Sequence, residues 1–112
     1  MIDKTFEEKW KELEERIAID FGGGLDVQGI LFLIGVQELG KGPADFTKDQ
    51  KLDVIHIAIC RVLEPFGFYN LTHLDQEGWP HYKSVKPLPT LKPGEQLKLM
   101  KQAILDYFGE VY

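Results

Sequence analysis

Cysteine is almost missing from this sequence of 112 residues, in which Cys60 stands alone. Without a second thiol there is no internal disulfide, and a reducing compartment, the cytoplasm, is the natural setting. Basic charge is in deficit as well. Lysine and arginine number 13 against 18 aspartates and glutamates, a formal net charge of −5. That balance argues against a nucleic-acid binder and against docking on an anionic membrane. Long hydrophobic runs are lacking too: the longest, Ile30 to Val36 counting Gly35, is far too short to span a bilayer. The stretch from Met1 to Glu8 has no apolar signal core, which fits the same cytoplasmic expectation. Internal repeats and low-complexity tracts are also missing.

What is present is ordinary globular material. Hydrophobic residues make up 44% and charged residues 28%, with 11 glycines and 6 prolines. One domain over residues 1–112 is expected, and at this length it buries roughly two-thirds of its unfolded surface without metal or disulfide staples.

The patterning predicts a mainly α fold of four helices, at about 6–21, 26–39, 48–63 and 93–109. In the first, Phe6, Trp10, Leu13 and Ile17 form one apolar stripe, and Thr5 with Glu8 makes a capping box. Gly22-Gly23-Gly24 ends it. The second carries Val27, Ile30, Leu31, Phe32, Leu33, Ile34, Val36 and Leu39, so it is apolar almost all round and is expected at the centre of the bundle or in an interface. A buried strand over Ile30–Ile34 competes with it. Asp26 is its N-cap, and Gly40 with Pro43 stops it. The third opens on the capping box Thr47-Lys48-Asp49-Gln50, shows Leu52, Ile55, Ile59 and Val62 as its stripe, and should end near Leu63 because Glu64 precedes Pro65. The fourth starts at Pro93 and runs through Leu97, Met100, Ile104 and Phe108.

Between the last two helices the texture is strand-like. Residues 68–74 and 79–85 flank Asp75-Gln76-Glu77-Gly78, which suits a type I turn closed by a left-handed glycine. A three-residue loop sets Asp75 opposite Trp79, His73 opposite His81, Leu71 opposite Lys83 and Tyr69 opposite Val85. A four-residue loop sets His73 opposite Pro80 instead.

Several constellations invite chemistry. Gly35 to Lys41 fits G-x-x-x-x-G-K, but Gly42 follows where a phosphate-binding loop needs the hydroxyl that holds magnesium. The plain reading is a helix ending in glycine. His56 and Cys60, one turn apart, are the pair a thiol enzyme would use, yet they share a largely apolar face on which a thiol is inert. Glu38 falls in the last turn of the second helix, against the helix dipole, with Lys41 in reach to offset it. Opposed His73 and His81, with Cβ atoms ~5 Å apart, form a candidate metal site with Asp75 as third ligand. The second half is rich in rings (Phe66, Phe68, Tyr69, Trp79, Tyr82, Tyr107, Phe108), which close a core or line a groove. Glu38, His56, Tyr69, Trp79 and Tyr82 are the candidate pocket or partner surface. The leading expectation is a small non-catalytic interaction or assembly domain, acting on a protein partner or on a second copy as a homodimer, with no cofactor. The alternative is a small metal-dependent or thiol enzyme built from His56, Cys60, His73, Asp75 and His81.

Overall fold

The computed structural model describes residues 4–40 and 45–111. Four helices, α1 (Phe6–Phe21), α2 (Val27–Leu39), α3 (Lys48–Leu63) and α4 (Pro93–Val111), carry the chain. One antiparallel hairpin, β1 (Tyr69–Leu74) and β2 (Pro80–Ser84), lies between the last two. The expected architecture is therefore the observed one, with α4 two residues longer than its pattern predicts.

Local chemistry explains the boundaries. At α3 both halves of the capping box are made: the Gln50 N–H donates to Thr47 Oγ1 at 3.1 Å, and the Thr47 N–H donates to Gln50 Oε1 at 2.9 Å. The Asp26 carboxylate accepts from the Gly29 N–H at 2.8 Å to open α2, and Gly40, at φ 67°, closes it in the left-handed region that disfavours a Cβ. α3 stops at Leu63 because Pro65 follows; the chain continues as a 3-10 turn over Glu64–Phe66 and leaves it at Gly67.

α2 has no exposed apolar residue. It contributes Ile30, Leu31 and Ile34 to the larger buried cluster, with Trp10, Leu13 and Ile17 of α1 and Ala103, Ile104, Tyr107 and Phe108 of α4. Its far end supplies Leu39 to a smaller cluster with Val54 and Ile57 of α3, against which Phe32, Val36, Phe46, Trp79 and Tyr82 pack. A buried strand over Ile30–Ile34 is ruled out, since those residues are helical.

Two details depart from the pattern. The hub is α3 rather than α2: it touches α2, α4 and both strands. Its buried face also lies off the expected stripe. Val54, Ile57, Ala58 and Cys60 are buried beside Val62 and Leu63, whereas Leu52 is 61% exposed. The cause is the close approach of α2. Gly35 sits on α3 so tightly that a Cβ there would overlap the carbonyl oxygen and Cγ1 of Val54, which draws the Val54–Ala58–Val62 row inward. Gly35 is thus a packing residue inside a helix. With Gly35–Leu39 all helical, the resemblance to a phosphate loop fails at its start; Lys41, Gly42 and Pro43 lie outside the described residues.

Candidate functional site

The turn forms as its residues dictate. The Asp75 carboxylate accepts from the Glu77 and Trp79 backbone N–H groups at 2.9 Å each, and the Asp75 N–H donates to the Trp79 carbonyl at 2.9 Å. Gly78 takes φ 86°. The loop has three residues, so His73 pairs with His81.

Beyond that pair the register slips. Leu71 faces Tyr82, Asn70 faces Lys83 and Tyr69 faces Ser84, where an unbroken ladder would have set Leu71 on Lys83 and Tyr69 on Val85. The extra residue is Thr72, a β-bulge. Its hydroxyl donates to the His81 carbonyl at 2.9 Å, replacing a ladder bond. Because that hydroxyl proton is committed, the 2.8 Å contact with His73 Nδ1 has the ring nitrogen as donor.

The two imidazoles stack, centroids 4.8 Å apart and planes within 1° of parallel. His81 Nε2 lies 2.9 Å from Asp75 Oδ2, and this bond, with the Trp79 N–H, holds the Asp75 carboxyl below the usual carboxylate range. His73, His81 and Asp75 are thus brought together, but as a stack with one acidic partner. Ring lone pairs lie in the ring planes, so stacked rings do not aim them at a common point. Among the described residues no group of three His, Cys, Asp or Glu side chains is placed to hold a metal ion.

His81 and Asp75 also form one wall of a groove of about 420 Å³ between the hairpin and the first half of α3. The hairpin adds Glu77, Trp79 and Tyr82; α3 adds Asp53, His56 and Ile57. The floor is the smaller core cluster seen from outside. Edge-to-face rings support it: Trp79 on Phe46 at 6.2 Å and Phe46 on Phe32 at 5.9 Å. Burial pushes the Tyr82 phenol up to about 12, and the Glu64 and Glu38 carboxylates add to the shift.

The remaining sequence candidates lie elsewhere. Tyr69 meets His56 edge-on at 6.5 Å behind the groove. Cys60 is 1% exposed, its sulfur in loose contact with the His56 ring nitrogens at 3.8 and 3.9 Å. Burial pushes that thiol up to about 11, the state of an unreactive cysteine. Glu38 has a cross-helix role. It accepts from Arg61 Nε at 3.0 Å and from the Tyr107 hydroxyl at 2.8 Å, tying α2 to α3 and α4. The Arg61 guanidinium also covers the Tyr107 ring at 5.1 Å, and burial together with the Glu38 bond raises the Tyr107 phenol further than Tyr82. The Lys41 expected to balance Glu38 lies outside the described residues.

Asp53, Ile57 and Glu77 are groove residues that the sequence reading missed. Asp53 stands three before His56 and so shares its helix face, a signal available once His56 is singled out. No protein-family model matches the chain, and no curated protein or solved structure matches it either. Among the described residues no helix is long and apolar enough to cross a membrane.

Proposed function

We propose that this protein is a small non-catalytic interaction domain that receives a protein partner in the groove between α3 and the hairpin. The observation that carries the reading is the build of the groove. A half-buried tryptophan and tyrosine rest on core residues and are rimmed by polar side chains. Apolar anchor positions inside a wet rim are the make-up of protein contact sites. Support for a cytoplasmic setting comes from the lone, buried Cys60.

The test is a photo-crosslinking residue placed at Gln50, on the groove wall, and separately at Glu14, on α1. In extract from the protein's own cells, the Gln50 position is expected to give a discrete adduct that Glu14 does not, and Trp79→Ala should remove it. Equal labelling from both positions, or none from Gln50, overturns the groove as the contact site.

Self-association has its own support in the exposure of Leu71 (47%), Leu74 (61%) and Val85 (51%) along the hairpin. Strand-to-strand pairing at Leu71 is disfavoured, because the Glu64 carboxylate accepts the Leu71 N–H at 3.0 Å. A homodimer would therefore join through these side chains. Sedimentation at increasing protein concentration should then show the mass double, and Leu74→Glu should abolish the doubling. A constant monomer mass removes this second reading.

A further inference from the structure

Hydrogen-bonding capacity is unevenly spent in the groove. Asp53 apart, its carboxylate and carboxamide acceptors are already engaged. Asp75 accepts from the Glu77 and Trp79 N–H groups and meets His81, Gln50 Oε1 accepts from the Thr47 N–H at 2.9 Å, and Glu77 has an interaction of its own. The donors are in the opposite condition. Among the described residues neither the Trp79 indole N–H nor the Tyr82 hydroxyl has a hydrogen-bond partner. Neither is a buried polar atom left unsatisfied, so both open to solvent. Burial of its ring keeps the Tyr82 phenol protonated well above neutral pH. Each donor is thus the tip of a half-buried ring, and Ile57 and Pro80 line the same groove.

An occupant must therefore accept hydrogen bonds here rather than donate them. A polyproline II segment has that character. It makes no internal hydrogen bonds, so its carbonyls stay available, and each proline lacks an N–H. We infer that the groove takes a proline-rich extended segment of a second protein, its pyrrolidine rings on Trp79 and Tyr82 and its carbonyls accepting from the indole N–H and the phenol. This rests on the groove being the contact site proposed above. An ordinary extended segment would bring an N–H at every residue to a site with one open carboxylate, and each donor left unpaired there costs affinity. A helix keeps its carbonyls within its own turns. Grooves lined by aromatic rings suit left-handed extended segments for a further reason, because such segments are ordered before they bind. The chain has a proline-rich run of its own, with Pro87, Pro89 and Pro93, but that run is spent inside the fold. Leu88, Pro89 and Leu91 line one pocket with Leu63, Leu99 and Met100, and the Leu91 carbonyl accepts from Gln96 Nε2 at 2.9 Å. The segment is therefore a partner's.

The test is an amide and indole NMR titration of the full chain with four decapeptides. They are decaproline, a chain of alanine and serine in which every residue carries an N–H, a leucine-bearing helix former, and residues 84–93 of this protein. Decaproline is expected to give saturable shifts at millimolar concentration, confined to His56, Ile57, Tyr82 and the Trp79 indole. The alanine–serine chain should bind about tenfold more weakly. Tyr82→Phe keeps the ring and removes one donor, and should cost decaproline roughly fivefold. Trp79→Phe should do the same for the indole, and Tyr82→Phe keeps the test open if Trp79→Phe disturbs the packing on Phe46. Equal or tighter binding of the alanine–serine chain or the helix former overturns the inference while leaving the groove as a contact site. Decaproline binding that is unchanged in both variants overturns it as well. Tighter binding of residues 84–93 would make the occupant a second copy and overturn the second protein. If no peptide moves the groove signals, the proline-rich partner is excluded, and the crosslink from Gln50 decides separately whether the groove receives a partner at all.

Discussion

α2 and the hairpin have opposite relations to solvent. Every apolar residue of α2 is covered, whereas β1 is exposed at every position after Tyr69. The difference lies in what holds each in place. α2 is fixed chiefly by non-directional burial on α1, α3 and α4, with directional bonds only from Glu38 at its end, so most of its sequence is constrained in volume and polarity. The hairpin is held by directional bonds: the Asp75 turn, the Thr72 bulge, and the Glu64 carboxylate on its edge. Such a segment leaves its outward side chains free for a partner, and the groove lies where the two kinds of construction meet. Substitutions in α2 should therefore act on stability, and substitutions around the groove on recognition.

The largest expected effect comes from placing a charge in α2. Ile34 is 1% exposed among the apolar side chains of the larger core cluster, so Ile34→Asp leaves an unpaired buried carboxylate. It should cost about 3–5 kcal/mol, much of a typical domain's stability. A circular-dichroism melt within a few degrees of the parent would contradict the placement of α2 at the core. Leu31→Asp should behave alike.

Gly35→Ala comes next. An extra methyl usually favours a helix by up to ~1 kcal/mol. Here the Cβ would overlap Val54, and backbone cannot yield as a side-chain end can. A net loss of about 1–3 kcal/mol is expected from overpacking. Denaturant unfolding checks it, and a stabilised variant would show that α2 and α3 are further apart than described.

Cys60 sharpens the comparison from within the core, through the pH dependence of stability rather than its neutral-pH value. Burial raises its thiol from the ordinary 9.0 of the unfolded chain to about 11 in the folded one. The native state therefore keeps its proton while the unfolded chain loses one. Stability from this group is fully present below pH 9 and falls as pH rises toward 11. Cys60→Ala should flatten that alkaline loss, and a thiol reagent at neutral pH should label the native protein only at the rate of unfolding. Fast stoichiometric labelling of the folded chain would show an accessible, ionised sulfur and would reopen thiol chemistry at His56 and Cys60.

How far all this was legible in the sequence follows the same division. Helix ends are local, and Thr47, Asp26, Gly40 and Pro65 announce them within a few residues. The turn is local as well: Asp75 with Gly78 favours the three-residue loop that opposes His73 and His81, although the residues alone leave a four-residue loop open, and the structure has the former. Thr72 gives no such warning, because β1 is exposed on both faces after Tyr69 and so has no buried alternation for a bulge to interrupt; the pairing beyond it is therefore one residue off the expected register. The buried face of α3 was misread for a non-local reason. A helix with neighbours on several sides has more than one apolar row, and Gly35, far away in sequence, decides which row goes deepest. Glu38 was recognisable as an acid at odds with its helix end, but Arg61 and Tyr107 reach it from other helices and no spacing rule connects them. The groove is the extreme case: its two walls are separate segments, so Trp79 and His56 were visible as candidates while the space between them was not.

The smallest expected effect is at the exposed end of the comparison, in the bond between Asp75 and His81. Hydrogen bonds from the His81 ring and the Trp79 N–H lower the Asp75 carboxyl from its ordinary 3.8 in the folded chain. A depressed folded value means that the contribution is complete above the unfolded pKa and is lost only as pH falls through the folded one. Neutral-pH melts should therefore move little in Asp75→Asn, since the pair is open to solvent and salt. The hairpin itself should respond. In the parent, a carbon-detected titration should place the Asp75 carboxyl below the ordinary 3.8, with the Glu77 and Trp79 amides shifting at the same midpoint because they donate to that carboxylate. In His81→Gln the midpoint should rise toward the ordinary value, since the first cause of the shift is gone. A midpoint that ignores His81 would mean that the turn amides alone hold the carboxylate. The His73–His81 stack would then lose its link to the turn, and the groove would lose the contact that fixes this wall.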